Sequence, residues 1–508
     1  MTRRIGIDVG GTNTDAAVVE GRTVLATVKE PTTDDVLSGI GAALAGVPHD
    51  DVTSVVIGTT HFTNAVVQRR HLNRVGFLRI GLPSGRTLPP LVGWPPDLAE
   101  AVSGATVLVG GGVEYDGRPF AELDEHAVVE AARRFGDAGL DAIVVAGSFS
   151  PVDPSQEDRA AELIADHLPA ASITRSHRLG RLGLLERENA AGLNACLLDL
   201  ARTTIAAFSE ALTDAGFGPG TRLFLTQNDG TLLTIDDAVR YPVLTFASGP
   251  TNSMRGAALL AEIDEGLVVD VGGTTADFGA LVAGYPRQAN AAVEVGQVRT
   301  LFQLPDLLSI GLGGGSRVRS GADGGLTVGP DSVGQRLLTD ALCFGGRVAT
   351  LTDAAVSMGR LGIDGATTPA LRNAEAVLAV AADLIAETAD RLKLTAAELP
   401  LVAVGGGAFA VPDRLPGVSD VVRPPHAGTA NAVGAALAEV SGEVDQVFHG
   451  HRREAAVAAA IELATQRAVD AGASADTITP IEIEDLPLAY LAGDARRVRV
   501  RVVGALVD

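Results

Sequence analysis

The sequence predicts an α/β protein built from two copies of one unit, and three observations carry that expectation. DVGGTNTD at residues 8–15 returns as DVGGTTAD at 270–277, identical at six of eight positions and 262 residues downstream. Each copy lies between strand-like runs, RRIGI and AAVV around the first and EGLVV and FGALV around the second. The 508 residues are 46% hydrophobic, enough to fill the cores of the two to four domains that roughly 100–200 residues per domain would allow.

Taken in order, the elements support a mixed sheet with helices packed on it. The first repeat forms a β-meander, because a further turn follows at Glu20, Gly21 and Arg22, and the second repeat does the same at Gly284, Tyr285 and Pro286. A helix is expected near 34–45, a strand at SVVIG (54–58), a helix at HFTNAVVQRR (61–70) and a strand at AIVVAG (142–147). One long helix is expected over LGLLERENAAGLNACLLDLARTTIAAFSEALTDAG (182–216), where apolar residues recur at helical spacing. The strand-like LFLTQNDGTLL and the loop FASGPTNS precede the second repeat, and LVAVGGGAFAVP (401–412) adds a strand ending in three glycines. A helix over TANAVGAALAEV (429–440), a tail helix EAAVAAAIELATQRAVDAG and two strands, ITPIEIEDL and ARRVRVRVVGAL, complete the chain. Domain boundaries are expected at about 175 and 440, leaving 441–508 as a short accessory α/β piece.

Charge and composition exclude several classes. The net charge is −22, which repels nucleic acid and anionic lipid. No run approaches the ~18 apolar residues of a membrane span. Neither partner is expected, and a cytoplasmic location is. Cys196 and Cys343, the two cysteines, are too far apart in sequence to suggest a zinc site and are expected in the core. Lys29 and Lys393 are the only lysines and neither follows a glycine, so the Walker A pattern is absent. HGH at 449–451 reads as part of a solvated linker.

The repeated hairpin suits an anion. Adjacent glycines, Gly10 and Gly11 or Gly272 and Gly273, let successive N–H groups point to one place, and threonine hydroxyls add donors. Thr12, Asn13 and Thr14, then Thr274 and Thr275, are the expected grips for β- and γ-phosphates. Asp8 and Asp270 end the preceding strands. A carboxylate beside phosphate requires a cation between them, so both are expected to hold Mg²⁺ through water and to be the catalytic acids. Asp15 and Asp277 recur at the same offset and are expected to brace the hairpins.

The order of these clusters resembles the acetate kinase, sugar kinase, Hsp70 and actin superfamily. More narrowly, the chain resembles the hydantoinase/oxoprolinase family, through DVGGTNTDAAVV (8–19), GTTHFTNAVVQR (58–69), ERENAAGLNA (186–195), TQNDGTLL (226–233), ASGPTNSMRGA (247–257), DVGGTTADFG (270–279), SIGLGGGS (309–316), TLTDA (350–354) and AVGGGAF (403–409). Leu308 and Ser309 stand where that family usually has a His-Thr pair, and QRLLTDALCFG replaces its Pro-Gly-Pro-Ala-Cys-Tyr-Gly segment. The nucleotide motifs are thus kept while the substrate motifs differ.

The resemblance implies two duplicated actin-like ATPase domains that close on ATP, with Gly405, Gly406 and Gly407 against adenosine. It implies ATP-dependent hydrolysis of a cyclic amide or imide, activated by phosphoryl transfer to its carbonyl oxygen, and a hetero-oligomer with a separate B-type subunit. Asn64, Asn228 and Asp229, in motifs facing the expected cleft, are the expected substrate contacts. A small-molecule kinase of the same fold, or an ATPase that activates a partner enzyme, would use the same cleft.

Overall fold

The computed structural model describes residues 3–507 except 11–12, 32–35, 180–181, 290–292, 302–303, 321–324 and 489–494. Strands β1 (Arg3–Val9), β2 (Asn13–Glu20) and β3 (Thr23–Pro31) form the expected meander, and β4 (Val52–Thr59) joins β1 in parallel. Four strands then form a separate parallel sheet: β5 (Val75–Leu82), β6 (Ser103–Gly110), β7 (Ala142–Gly147) and β8 (Ser172–Arg175). The chain returns to the first sheet with β9 (Arg222–Thr226) and β10 (Thr231–Thr234).

The second copy repeats this plan. Strands β11 (Gly266–Val271), β12 (Ala276–Val282) and β13 (Tyr285–Pro286) form an antiparallel meander. After a hairpin, β14 (Val293–Val295) with β15 (Val298–Thr300), strand β16 (Leu307–Ile310) also pairs with β12. A second hairpin, β17 (Ser316–Ser320) with β18 (Leu326–Ser332), is followed by β19 (Leu399–Val404) and β20 (Val418–Val422), both parallel to β11. The order β3-β2-β1-β4-β9 in one sheet is thus matched by β13-β12-β11-β19-β20 in the other. The two expected units are present as a structural duplication.

Strand membership crosses the boundaries expected at 175 and 440. Strands β21 (Glu439–Phe448), β22 (Thr479–Pro487) and β23 (Arg496–Gly504) continue the first sheet to nine strands, because β21 pairs in parallel with β10. The tail is therefore an extension of the first unit. Within it β21 includes residues expected to end a helix: its buried and half-buried residues alternate along EVSGEVDQVF, and its charged residues obscured a period of two.

Of the helices, α1 (Val36–Ala45) and α2 (His61–Gln68) lie in the first unit. The long helix expected over 182–216 is two, α3 (Leu184–Ala195) and α4 (Leu198–Asp214), and the backbone N–H of Asn73 takes the carbonyl of Cys196 at the break. Helix α3 docks the inserted sheet through buried polar groups: Arg79 on β5 pairs with Glu188, and Arg187 donates to Ser176 Oγ at 2.8 Å. Helix α5 (Ser248–Ala261) lies against α6 (Ala430–Ala436). In the tail, α7 (Arg453–Asp470) buries Ala456, Ala460, Ala464 and Ala468, one per turn, on β21 and β23. Cys196 and Cys343 are both buried and free, as expected. Among the described residues no helix is long and apolar enough to cross a membrane.

The close contact of α5 and α6 has a direct sequence cause. A Cβ placed on Gly256 would lie 1.8 Å from the carbonyl oxygen of Ala430, and one on Gly434 would lie 2.0 Å from that of Asn252. Glycine at both positions lets the two backbones touch, which brings the side chains of Asn252 and Asn431 to the ends of the central strands.

Candidate functional site

Asp8 lies near the C-terminal end of β1, directly opposite Asp15 on β2, which in turn is opposite Lys29 on β3. The Lys29 ammonium is 2.6 Å from Asp15 Oδ1. Asn431 on α6 donates one amide group to both acids, at 3.0 Å to Asp8 Oδ2 and 2.9 Å to Asp15 Oδ2. Asn252 on α5 donates to Asp8 Oδ1 at 3.3 Å and to Thr226 Oγ1, at the end of β9, at 3.0 Å. Burial pushes the Asp8 carboxyl up to about 6, and the charge of Asp15 adds to the rise against the donated hydrogen bonds. Asp15 therefore does more than brace a hairpin.

Asp270 takes the equivalent place on β11 opposite Asp277, and Ser253 Oγ donates to its Oδ2. Its carboxyl is also pushed up to about 6, first by burial, then by Asp277 and by Asp8 of the other unit, while Ser253 and Lys29 oppose the rise. The charge of Asp8 in the first repeat thus reaches Asp270 in the second. Burial raises the Asp277 carboxyl too, and Ser309, which stands at the family's histidine-threonine position, bonds to it.

The two hairpins close in the same way: Gly10 N–H donates to Asn13 C=O at 3.0 Å and Gly272 N–H to Thr275 C=O at 2.9 Å. Gly11 and Thr12 lie outside the described residues. Asn13, Gly10, Gly272, Gly273 and Thr274 are half-buried at the groove and Thr275 is exposed. Thr14 departs from the expectation. It is fully buried, with its hydroxyl facing Gly39 of α1, because β2 alternates its side chains and Thr14 falls on the α1 side. It is in no position to grip a phosphate. Over the second hairpin, the N–H groups of Gly314 and Gly315 donate to the carbonyls of Gly272 and Gly273 at 3.0 and 2.8 Å, so SIGLGGGS holds that hairpin in shape.

The third glycine cluster begins level with Asp270, since Val404 of β19 pairs with it. Gly58 of β4 pairs with Asp8 in the same sense, so Gly-Thr-Thr and Gly-Gly-Gly occupy matching ends of the two sheets. Gly405 has φ +85°, and a Cβ there would meet Asp270 Oδ1 at 2.2 Å; Gly407 is packed on Val271, while Gly406 is exposed with open space in front of it. Only Gly406 of the three is thus open to a ligand.

The expected substrate contacts separate. Asn64 is exposed on α2 and donates to Thr60 Oγ1 at 3.4 Å; Thr60 in turn bonds Val9 C=O at 3.5 Å, beside the Asp8 hairpin. Asn228 and Asp229 instead line a cavity of about 510 Å³ beyond the end of β9. Asp229 is already committed, accepting from Thr231 N–H and Oγ1 at 3.0 and 2.6 Å and from Arg501 at 3.3 Å, so it shapes a turn and is not available to a substrate. Sequence reasoning missed Lys29, Asn252, Ser253 and Asn431. Asn252 and Ser253 lie within ASGPTNSMRGA, where the run of three polar residues Thr251, Asn252 and Ser253 was the available signal.

The donor set bears on a divalent metal. No cluster of three or more His, Cys, Asp or Glu that could hold an ion occurs among the described residues. Two raised carboxylates at the ends of matching strands, with Lys29 the cation that acts on both among the described residues, fit a hard ion whose remaining ligands are water and phosphate oxygens.

Known proteins resemble the chain in sequence and in fold. Profiles for the hydantoinase/oxoprolinase N-terminal region and for hydantoinase/oxoprolinase match residues 4–168 and 187–370. Caprolactamase subunit alpha of Pseudomonas jessenii is 27% identical over 400 residues, covering 72% of this chain; the match spans 55% of that relative's length. The crystal structure of ATP-dependent caprolactamase from Pseudomonas jessenii superposes with a TM-score of 0.78 at 20% identity, covering 99% of this chain and 88% of that one. A nucleotide-free acetone carboxylase structure gives 0.69 at 19% identity, with the same coverage.

Proposed function

Because the chain belongs to the hydantoinase/oxoprolinase family, we propose that it uses ATP to activate the carbonyl of a small cyclic amide for hydrolysis. An amide carbon is a poor electrophile because the nitrogen lone pair delocalises into the carbonyl. The amide oxygen attacks the γ-phosphorus, the bond to the β-phosphate oxygen breaks and ADP leaves. Water then adds to the activated carbon, the ring C–N bond breaks as the nitrogen takes a proton, and a second water hydrolyses the resulting acyl phosphate to carboxylate and inorganic phosphate.

In this reading the hairpins at 10–13 and 272–275 hold the triphosphate from opposite sides, and Gly406 admits the adenosine. Asp8 and Asp270 would hold Mg²⁺ through water, which would neutralise charge on the phosphates during transfer. Asn252, Asn431 and Ser253 orient the two carboxylates, and Lys29 supplies a fixed positive charge. Asn64 and Asn228 are the candidate substrate contacts. Caprolactamase subunit alpha is named as a subunit, which supports an oligomer in which a separate subunit completes the hydrolysis.

The observation that carries the proposal is that one helix, α5, bonds the acids of both repeats through adjacent residues. The test is calorimetry with MgATP, followed by ATP hydrolysis by the purified chain against a panel of lactams, hydantoins and 5-oxoproline, with and without the product of the adjacent gene. Lactam-stimulated release of ADP with a ring-opened product is expected. A stable phosphorylated product would identify a kinase, and absence of MgATP uptake would overturn the reading.

A further inference from the structure

The cavity beyond β9 is lined by charged side chains of both signs. It opens where the loop after β7, the turn at Ser176–Arg178, the β9–β10 turn and β21 meet. Four carboxylates line it, and each is already paired: Asp158 with Arg175 at 2.6 Å, Asp229 with Arg501 at 3.3 Å, Glu443 with Arg499 at 2.9 Å and Asp445 with Arg497. Two further arginines line the same space, Arg178 and Arg467. Arg467 donates to the backbone carbonyl of Glu443 and has no carboxylate partner among the described residues; Arg178 has none either. Two guanidiniums outside any ion pair thus face one cavity on a chain of net charge −22.

We propose that this cavity binds a small oxyanion ligand, a carboxylate- or phosphate-bearing molecule gripped by Arg178 and Arg467. The guanidinium fork matches both groups in two-point geometry, and about 510 Å³ is the scale of a small-molecule site. Arg467 is held below the usual guanidinium range by burial and by the neighbouring charge of Arg178, against the opposing charge of Glu443; an anion between the two guanidiniums relieves their repulsion. The far wall is built by Asn228, whose carbonyl accepts from Thr251 Oγ1 at 3.1 Å, one residue before Asn252. The cavity is thus fixed to the helix that holds Asp8. Its binding needs no nucleotide, so it goes beyond the ATP reading and is tested apart from it.

The experiment is calorimetric titration of the full chain, without nucleotide and at low ionic strength, with inorganic phosphate and separately with glutarate. Saturable uptake of one probe is expected, weakened by added salt. Arg178→Gln and Arg467→Gln should each weaken it about tenfold, and the pair should abolish it. Preference for phosphate or for glutarate assigns the natural ligand's charged group. Arg178 is exposed, so Arg178→Gln remains informative if Arg467→Gln fails to fold, and Arg178→Lys should recover part of the affinity. Saturation by neither probe, uptake in Arg178→Gln as tight as in the unaltered chain, or displacement of the probe by MgATP would overturn the proposal. MgATP uptake measured on the same variants should be unchanged, which separates its failure from that of the nucleotide site.

Discussion

Asn252 and Ser253 are adjacent on one helix, yet Asn252 bonds the acid of the first repeat and Ser253 the acid of the second. Consecutive side chains on an α-helix diverge by about 100°, so this pair can reach both acids only if α5 runs between the two sheet ends. Any rotation of one unit against the other must be felt at both bonds. The helix thereby couples the geometry of the two carboxylates.

Replacing Asn252 tests that coupling. Asn252→Ala leaves Asp8 Oδ1 and Thr226 Oγ1 without their shared donor. Loss of a buried hydrogen bond to a carboxylate costs about 1.5–3 kcal/mol. We expect MgATP turnover to fall about tenfold or more, and Asn252→Asp, which adds a third negative charge beside Asp8, to fall further. Steady-state ADP release measures both; turnover equal to wild type in Asn252→Asp would exclude the arrangement.

The helix crossing makes a stability prediction. Gly434→Ala would place a methyl group 2.0 Å from the Asn252 carbonyl oxygen, and backbone cannot yield as a flexible side chain can. We expect a loss of about 3 kcal/mol or more, read by calorimetric or denaturant unfolding. Gly406→Ala, with nothing within 4 Å of the added carbon, should leave stability nearly unchanged while weakening nucleotide uptake.

The duplication was legible because the octapeptide repeat and its flanking apolar runs are local signals. The order of glycine clusters was legible for the same reason. What lay hidden is non-local. Strand β21 joins the first sheet only because β10 offers it an edge more than 200 residues earlier. The break between α3 and α4 falls in an unbroken apolar stretch, where periodicity continues through Cys196 and Leu197. Lys29 reads in sequence as an ordinary strand residue; it reaches Asp15 by pairing across β2 and β3. Asn431 is remote from Asp8 in sequence, and nothing in the spacing foretells their bond.

The raised carboxyls predict a dependence of stability on pH. In the metal-free protein Asp8 and Asp270 are held near 6, above the ordinary 3.8. Between those values the folded state binds more protons than the unfolded chain, so these groups lose stability for the fold as pH rises from about 4 through about 6. Asp270→Asn removes one such penalty. We expect it to raise the melting temperature at pH 8, by an effect of about 1–3 kcal/mol, with little change at pH 4, while abolishing turnover. Unchanged turnover would refute the role given to Asp270; an equal stability change at both pH values would refute its raised carboxyl.

Lys29 supplies the last prediction. Its ammonium pairs with Asp15 and lowers the carboxyls of both Asp8 and Asp270. Lys29→Met removes that charge, so both acids should hold their protons to higher pH. The acid limb of the turnover profile is therefore expected to move upward, with activity at pH 6 falling more than activity at pH 8. Lys29→Arg keeps a cation near Asp15 and should return the limb toward its original place. The Lys29 side chain is 37% exposed, and partial exposure to water keeps the shift to a fraction of a pH unit. A uniform loss of activity at every pH would mean that Lys29 serves only the packing of β3 against β2.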